Sequence, residues 1–275
     1  MNEQLKKELS VHATNIRLGA LEGIYNAGSG HPGGSLSVAD ILTYLYFVQM
    51  NVDPADPKME SRDRFVLSKG HAAPALYATL AEKGYFSKSL LKTLRNKESM
   101  LQGHPDMKKI PGVDITTGSL GLGISAACGM AKAAKMYNDS YKVYAIVGDG
   151  ESEEGQVWEA AMFAGHYKLN NLCVFIDFNG LQIDGDITKV MNPTPFDKKF
   201  EAFGWDTVVI DGNNFDDIEF ALSKFGTTDK PLAIIAKCIK GKGVSFMENA
   251  AEWHGNAPKK EQYEQAVAEL EALLK

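Results

Sequence analysis

Two short polar motifs follow apolar runs in the middle of the chain. Gly148-Asp149-Gly150 closes one run and Asp177-Phe178-Asn179 closes the next, and 28 residues separate Gly150 from Asn179. Open α/β sheets bind ligands at the carboxyl ends of their strands, and Mg²⁺ prefers oxygen ligands together with substrate phosphates. Although a GDG triplet alone also fits an ordinary polar turn, the pair of motifs predicts a site for a divalent cation and a phosphorylated ligand.

Four of the six histidines lie beside glycine or proline in predicted loops. They are His31 (Ser-Gly-His-Pro-Gly-Gly), His71 (Lys-Gly-His-Ala), His104 (Gly-His-Pro-Asp) and His254 (Trp-His-Gly). Glycine lets a ligand approach the backbone, and a neutral imidazole can donate a hydrogen bond to phosphate or hydroxyl oxygens. A single loop histidine is usually solvated surface, but this set favours ligand binding, because loops carry function on a rigid scaffold.

A glycine pattern at residues 121–126 resembles a dinucleotide fingerprint. Gly121-Leu122-Gly123-Ile124-Ser125-Ala126 fits G-x-G-x-x-A. That fingerprint must follow a strand and open a helix, and the preceding residues 111–118 make a poor strand. We therefore expect these glycines to pack a helix closely against a cofactor ring or a neighbouring chain.

Two charged segments allow more than one interpretation. Four acids crowd the start of a predicted helix: Glu151, Glu153, Glu154 and Glu159. Acids favour a helix N-terminus through its dipole, but they would repel a diphosphate, so we expect at least one of them to have a function. After the last predicted strand, Lys240 and Lys242 alternate with glycines, which fits either a solvated loop or an anion-binding loop.

The elements that must position these residues are short apolar strands. The predicted strands are residues 64–68, 143–147, 172–176, 207–210 and 232–236. Continuous apolar strands separated by helical patterns indicate a parallel sheet covered on both faces. The predicted helices are 5–27, 37–50, 72–83, 88–97, 120–137, 154–167, 216–225 and the amphipathic segment 259–274. The predicted class is α/β, a doubly wound, mostly parallel sheet with helices on both faces, and we expect residues 1–275 to form one domain.

Composition limits the partners of the chain. Its 275 residues are 44% apolar and 23% charged, with a net charge of −6, which gives no sign of affinity for nucleic acid or an anionic membrane. An anionic ligand would have to be bound by groups in direct contact with it, such as a metal ion, histidines and backbone N–H groups. The three cysteines are far apart and form no CxxC motif, so a zinc site or a disulfide framework is not expected. Without a signal peptide or a bilayer-length apolar stretch of ~20 residues, we expect a cytoplasmic protein.

Together these segments resemble the N-terminal, diphosphate-binding part of transketolase, a thiamin-diphosphate enzyme. They run in the family's order across nearly the whole chain. The matching segments are SGHPGGSLS (29–37), RDRFVLSKGHA (62–72), GHPD (103–106), TTGSLGLGIS (116–125), GDGESEEGQVWEA (148–160), DFNGLQIDG (177–185) and WHG (253–255). The resemblance implies the thiamin-diphosphate-binding fold of a diphosphate (PP) domain.

The resemblance also implies residue roles. Asp149, the Asn179 side chain and the Leu181 carbonyl would hold Mg²⁺ or Ca²⁺. Contacts with the cofactor are implied for His71, Gly118, Ser119, Leu120, Asp149, Gly150, Glu151, Asn179, Ile183 and His254. His31, His104 and His254 would contact substrate hydroxyls and stabilise the carbonyl oxygen under attack. That role fits the general need for donors where an alkoxide develops.

The implied reaction moves a two-carbon ketol unit from a ketose, or its phosphate, to an aldose, as in the pentose phosphate pathway. In this family a glutamate from a second domain activates the cofactor, and no segment here matches that domain. We therefore expect one half of a split transketolase, active together with a C-terminal subunit that carries the pyrimidine-binding and C-terminal domains. A heterotetramer of two copies of each chain is the expected assembly. Glu154 matches the family's glutamate that lies close to the catalytic one across the interface.

Three alternatives remain open at this point. Another thiamin enzyme, resembling deoxyxylulose-phosphate synthase, would share the GDG and asparagine motifs, although the GHPD and WHG histidines favour transketolase. A cofactor-binding or regulatory module without catalysis would not need four loop histidines. A nicotinamide-binding domain would use the glycine pattern at 121–126.

Overall fold

A computed structural model of the protein describes residues 1–274, and a five-stranded sheet forms its centre. The strands of this sheet are β1 (Arg64–Leu67), β2 (Val143–Gly148), β3 (Leu172–Phe178), β6 (Asp206–Asp211) and β7 (Leu232–Lys237). Their order is β1-β2-β3-β7-β6, and every neighbouring pair is parallel. A small antiparallel ribbon, β4 (Leu181–Gln182) with β5 (Gly185–Asp186), follows β3.

Helices cover the sheet. They are α1 (Glu3–Ala27), α2 (Pro32–Ser37), α3 (Ala39–Tyr44), α4 (Ala73–Lys83), α5 (Leu122–Tyr137), α6 (Gly155–His166), α7 (Ile187–Val190), α8 (Phe196–Ala202), α9 (Phe215–Leu222) and α10 (Lys260–Ala272). Short 3₁₀ turns lie at Gly70–Ala72, Lys88–Thr93, Gly150–Glu153 and Ala251–His254, and a π-helical turn lies at Leu45–Gln49. No helix within residues 1–274 is both long enough and apolar enough to cross a membrane.

Alternate side chains of the central strands enter two separate apolar cores. In β3, Cys173 and Phe175 pack in the core formed with α1, α3, α4 and α9. Val174 and Ile176 pack on the other face, in the core formed with α5, α6 and α8. A strand buried on both faces needs an unbroken apolar sequence, as parallel sheets show. The predicted class, a doubly wound parallel sheet covered on both faces, is confirmed.

Two predicted helices differ from the structure. The segment predicted as one helix over 37–50 is divided, because Val38 leaves the helical conformation (φ −97°, ψ 2°) between α2 and α3 and the π-helical turn then replaces the last α-helical turn. The segment predicted as a helix over 88–97 is only the 3₁₀ turn Lys88–Thr93. Arg95 then takes a left-handed backbone conformation with φ 63°, which no α-helix can contain.

The glycine pattern at the start of α5 is accounted for by a close contact at Gly123. A Cβ atom on Gly123 would lie 2.6 Å from the Cα atom of Ser68 and 2.5 Å from its Oγ atom. Helix α5 therefore runs directly against the end of β1, and not against a ring or a second chain at this position. Residues 111–118 form no strand, so the pattern also lacks the strand that a dinucleotide site requires.

We expect Gly123→Ala to destabilise the protein, because the added methyl group would overlap Ser68, directly after β1. Overpacking of this kind costs about 1–3 kcal/mol. The matched control is Gly129→Ala in the same helix, where a Cβ atom meets nothing within 4 Å. That change should stabilise the protein by about 0.5–1 kcal/mol through helix propensity. Urea unfolding of both variants measures the difference, and a Gly123→Ala protein as stable as the wild type would contradict this packing.

Candidate functional site

The parallel register brings the two polar motifs together at one edge of the sheet. Gly148 at the end of β2 is paired with Asp177 of β3. Beyond this pair, Asp149 is almost fully buried, with 2% of its surface exposed. Its Oδ1 accepts a hydrogen bond from the Gly150 N–H at 2.8 Å, and its Oδ2 accepts one from the Gly180 N–H at 2.6 Å. The Asp149 carboxylate, which directly follows β2, therefore binds the loop after β3 through a hydrogen bond.

The loop after β3 places Asn179 and Leu181 along the same cavity as Asp149. The Asn179 amide nitrogen donates to Asp177 Oδ2 at 2.9 Å, which turns the amide oxygen towards the Leu181 N–H, at 3.2 Å. Within residues 1–274, no three His, Cys, Asp or Glu side chains are grouped to hold a metal. A cation at this edge would thus rely on one carboxylate with amide and carbonyl oxygens, a set of hard ligands suited to Mg²⁺ or Ca²⁺.

Two buried lysines lie beside the two buried aspartates. Lys69, 1% exposed, forms an ion pair with Asp177 and donates to the Gly34 carbonyl at 2.9 Å. Lys240, 2% exposed, donates to the Leu181 carbonyl at 2.8 Å and lies 3.0 Å from His254 Nδ1. The sequence left open whether Lys240 lies in a solvated loop or in an anion-binding loop. Because Lys240 is buried, the solvated interpretation is wrong for this residue.

Burial and mutual repulsion perturb this group of charges. Burial, together with the charge of Asp177, raises the pKa of Asp149 to about 7. Burial, together with the charge of Lys69, lowers the pKa of Lys240 to about 8. Burial opposes ionisation of Asp177, but the Lys69 ammonium group overcomes it and holds the pKa of Asp177 below its usual range. A divalent cation would relieve the repulsion between the two carboxylates.

Three histidines from three separate loops form a cluster above this edge. The ring centres of His31, His71 and His254 lie 5.1 to 5.5 Å apart. Burial, followed by the charge of Arg95, lowers the pKa of His31 to about 4. Burial, followed by the charge of Lys240, lowers the pKa of His254 to about 3. These imidazoles are therefore neutral at pH 7, and each can donate one hydrogen bond and accept another.

His104 adds a fourth imidazole from a different loop. A Cβ atom on Gly118 would lie 3.2 Å from the His104 Cγ atom, so the ring packs directly over this glycine. Burial, followed by the charge of Arg95, lowers the pKa of His104 as well. All four histidines that the sequence singled out are thus gathered at one place. His12 is elsewhere, stacked on Phe47 and hydrogen-bonded to Glu82.

These groups surround a cavity of about 410 Å³. The predicted site residues that line it are His31, His71, His104, Gly118, Leu120, Asp149, Gly150, Glu151, Asn179, Leu181, Ile183 and His254. Ser119 borders an adjoining groove instead. Glu154 is exposed on the surface, with its Cβ atom close to Gly121.

The cavity wall fits a ligand that carries a diphosphate and a polar ring. His31 Nδ1 is buried and has no hydrogen-bond partner within residues 1–274, and buried polar atoms normally find one. Gly118 and Gly150 line the cavity as bare backbone, and Cβ atoms there would crowd His104 and Gln182, respectively. An unused polar atom and an accessible backbone are what a close-fitting polar ligand requires.

Glu151 stabilises the segments around the cavity through hydrogen bonds. It is 3% exposed, and its carboxylate accepts hydrogen bonds from the Ser68 hydroxyl at 2.5 Å and from the Gly121 and Gly148 N–H groups at 2.9 Å. Burial raises the pKa of Glu151. The side chain therefore joins the ends of β1 and β2 to the start of α5, and in these contacts both of its oxygens serve the protein.

Sequence reasoning did not assign several residues that line the cavity. They are Gly34, Lys69, Gly148, Gln182, Asp184 and Lys240. The position of the two lysines was a usable signal, because each follows shortly after the carboxyl end of a predicted strand. Ligands bind at that end of the sheet.

Comparison with known proteins identifies relatives along nearly the whole chain. Residues 9–271 match the family described as "Transketolase, thiamine diphosphate binding domain". The chain is 49% identical over 273 residues to the 6-deoxy-6-sulfo-D-fructose transketolase subunit SqwG of Clostridium sp. (strain MSTE9), and the match covers 98% of both proteins. It is 45% identical to an apulose-4-phosphate transketolase subunit of Phocaeicola vulgatus, covering 95% of this chain and 93% of that protein.

Longer relatives match over part of their length. The chain is 42% identical to mouse transketolase, of which the match covers 43%. The crystal structure of transketolase from Campylobacter jejuni superposes with a TM-score of 0.91 at 34% identity, covering 98% of this chain and 43% of that chain. The present chain thus spans about two-fifths of the length of these transketolases and nearly all of the two subunits.

We expect the His31 imidazole to remain neutral down to about pH 5. Its burial and the nearby charges of Arg95, His104, Lys240 and Lys69 all disfavour the protonated ring, and they place its pKa at about 4. Histidine NMR spectra recorded between pH 8 and pH 4 measure this, with His31→Gln used to assign the resonance. A midpoint at pH 6 or above would show that the ring is solvated and lies outside the cavity.

Proposed function

Because the chain belongs to the transketolase family and matches its thiamine diphosphate binding domain, we propose that it is the cofactor-binding subunit of a two-subunit transketolase. The whole chain acts as one diphosphate-binding domain in this proposal. The observation that carries the proposal is the meeting of Asp149, Asn179 and the histidine cluster at one edge of the sheet. When bound, thiamin diphosphate supplies the nucleophilic carbon that attacks a ketose carbonyl and retains its two-carbon unit.

Asp149, Asn179 and Leu181 would hold the divalent ion that accompanies the diphosphate. The Asp149 carboxylate, the Asn179 amide oxygen and the Leu181 carbonyl supply only oxygen ligands, which favours Mg²⁺ or Ca²⁺. The Leu181 carbonyl accepts from Lys240, but a carbonyl oxygen has two lone pairs and can also face a cation. The ion would offset the charge of Asp149, whose ionisation is opposed by burial and by the neighbouring Asp177.

The diphosphate would be bound by a positive and hydrogen-bonding wall. Lys240 provides a buried ammonium group, and the neutral rings of His71 and His254 provide N–H donors on the same side of the cavity. Gly150 leaves the backbone open to the phosphates. This local arrangement offsets the unfavourable net charge of −6, because nearby buried charges outweigh distant screened ones.

The ring systems of the cofactor would lie along the loop before α5 and the loop after β3. Gly118, Ser119 and Leu120 border the position proposed for the aminopyrimidine, and Ile183 the position proposed for the thiazolium. Glu151 lines the cavity and would contact the cofactor. It also holds the N–H groups of Gly121 and Gly148 in place.

The neutral histidines suit the chemistry of the substrate. His31, His104 and His254 would donate hydrogen bonds to sugar hydroxyls and to the carbonyl oxygen on which negative charge develops. Fixed donors at that position stabilise a transition state more than a ground state. Two relatives that are themselves subunits are named for a sulfonated and a phosphorylated sugar. We therefore place the substrate among anionic sugars that carry a phosphate or a sulfonate.

A partner chain would complete the open side of the cavity. Leu120 and Ile183 stand at this side with 38% and 68% of their surfaces exposed, and covering such apolar groups favours association. The exposed Glu154 lies near the same side and would approach the partner's catalytic glutamate. Two copies of each chain would form the active assembly, and the reduced, buried cysteines suit the cytoplasm.

We expect Asp149→Ala to weaken Mg²⁺-dependent binding of thiamin diphosphate to the two-subunit complex by at least about 100-fold. Even the loss of a group that only orients a metal ligand costs about 10–100-fold. The control is Asp139→Ala, an exposed aspartate just before the opposite end of β2. Calorimetric titration with and without Mg²⁺ measures the effect, and unchanged affinity in Asp149→Ala would remove the cation site from the proposal.

We expect the purified chain alone to show no ketol transfer, because a transketolase requires the glutamate of the second domain. Adding the separately purified C-terminal subunit should restore transfer from a ketose to an aldose, measured by mass spectrometry of the sugar products. Turnover by the single chain would contradict the two-subunit proposal. An active complex that needs no thiamin diphosphate would contradict the cofactor assignment.

A further inference from the structure

Lys69 and Asp177 form a buried ion pair beside the cavity. Asp177 has 0% of its surface exposed and Lys69 has 1%, and the ammonium group lies in contact with the carboxylate. The described residues that line the cavity include Lys69 and Asn179, but they do not include Asp177. The Asp177 carboxylate can therefore act on a ligand only through the residues that it contacts.

Three donors converge on one oxygen atom of this carboxylate. Asp177 Oδ2 accepts a hydrogen bond from the Ser37 hydroxyl at 2.8 Å and one from the Asn179 amide nitrogen at 2.9 Å. The Lys69 ammonium group donates to the same oxygen, and it also donates to the Gly34 carbonyl at 2.9 Å. Rotation of the carboxylate would disrupt all three contacts, so its position is fixed.

These contacts decide which way the Asn179 amide points. A carboxylate oxygen can only accept a hydrogen bond, and a backbone N–H can only donate one. The amide NH₂ group must therefore face Asp177, and the amide oxygen must face the Leu181 N–H, which lies 3.2 Å away. Because both neighbours require the same orientation, the reverse one would place oxygen against oxygen at one end and N–H against N–H at the other.

The amide oxygen of Asn179 is the atom that a cation would use. Mg²⁺ and Ca²⁺ bind the carbonyl oxygen of an asparagine side chain. This oxygen has two lone pairs, so the hydrogen bond from Leu181 leaves one of them for an ion. An amide that is already oriented also loses no rotational freedom when the ion binds. Orientation of the amide is therefore part of the affinity for the cation.

We propose that Asp177 is a positioning residue that orients the Asn179 amide, so that the amide oxygen faces the divalent ion, and that Lys69 makes this possible. A buried carboxylate without a partner would be strongly destabilising, and the Lys69 ammonium group compensates its charge. This inference rests on the proposed cation site. It assigns to both residues a role in cation affinity without direct contact between Asp177 and the ion.

The test compares two double variants that both lack the ion pair. Lys69→Met/Asp177→Asn keeps an oxygen that can accept from the Asn179 amide, whereas Lys69→Met/Asp177→Leu has nearly the same shape and no acceptor. Replacement of a buried ion pair by residues of similar volume is often neutral for stability, and circular dichroism checks that both variants fold. Because both proteins lack the same charges, a difference between them isolates the acceptor.

Calorimetric titration of Mg²⁺ into the reconstituted two-subunit complex, at a saturating concentration of thiamin diphosphate, measures the affinity for the ion. The Asp177→Leu double variant should bind Mg²⁺ about 10–100-fold more weakly than the Asp177→Asn double variant, which is the usual effect of losing a group that orients a metal ligand. Equal affinities of the two variants, whether both high or both low, would overturn the inference.

A single variant, Asn179→Asp, tests the same contact with the ion pair in place. An added carboxylate at a cation site ordinarily strengthens binding, because affinity rises with the charge of the ligands. Here the new oxygen would replace a nitrogen that lies 2.9 Å from Asp177 Oδ2, and the two carboxylates would repel each other. We therefore expect Asn179→Asp to weaken Mg²⁺ binding, and stronger binding would overturn the inference even if a double variant failed to fold.

The failure of this inference can be distinguished from the failure of the proposed function. A wild-type complex that does not bind thiamin diphosphate in the presence of Mg²⁺ would overturn both. A wild-type complex that binds them, together with double variants of equal Mg²⁺ affinity or with an Asn179→Asp variant of higher affinity, would overturn the inference alone.

Discussion

Two carboxylates and two ammonium groups lie buried together at the carboxyl end of the sheet. The negative charges could not be buried without the positive charges, nor the positive charges without the negative ones. A single uncompensated charge in a protein interior costs several kcal/mol. Asp177 is fully buried and is held by Lys69, by the Ser37 hydroxyl and by the Asn179 amide. Because Asp177 takes these donors, Asp149 keeps its carboxylate for the backbone N–H groups of its loops and for the proposed cation. The geometry of the site follows from this division between the two aspartates.

This division also explains how an acidic protein can bind an acidic ligand. The net charge of −6 acts at long range, where salt screens it. Close to the cavity the balance of charge differs, since the buried ammonium group of Lys240 and the neutral imidazoles line it. Burial keeps the histidines neutral, so that they serve as donors of hydrogen bonds and not as additional charges. A site built from polarised neutral groups can bind sugar hydroxyls and a phosphate in the same space.

The sheet and the meeting of Asp149 with the loop of Asn179 could be predicted from the sequence because their causes are local. An apolar run of five residues that ends in Gly-Asp-Gly is a strand followed by a turn, and parallel strands place all such turns at one edge. The same reasoning could not identify the environment of Lys240, because a lysine between glycines has the same local sequence whether it is solvated or buried. It also could not identify the role of Glu151, whose three hydrogen-bond donors come from positions 68, 121 and 148.

The sequence by itself determined the α/β class, the likeness to transketolase and the residue types of the site, because these depend on hydrophobic periodicity and on short motifs. The tertiary structure alone decided which side chains meet. His31, His71, His104 and His254 come from four loops that are distant in the chain, and their distances depend on how α2, α4 and α5 pack on the sheet. Packing also decided that Lys69 and Asp177 pair in the interior, because a charge is neutralised by its neighbours in space and not by its neighbours in sequence.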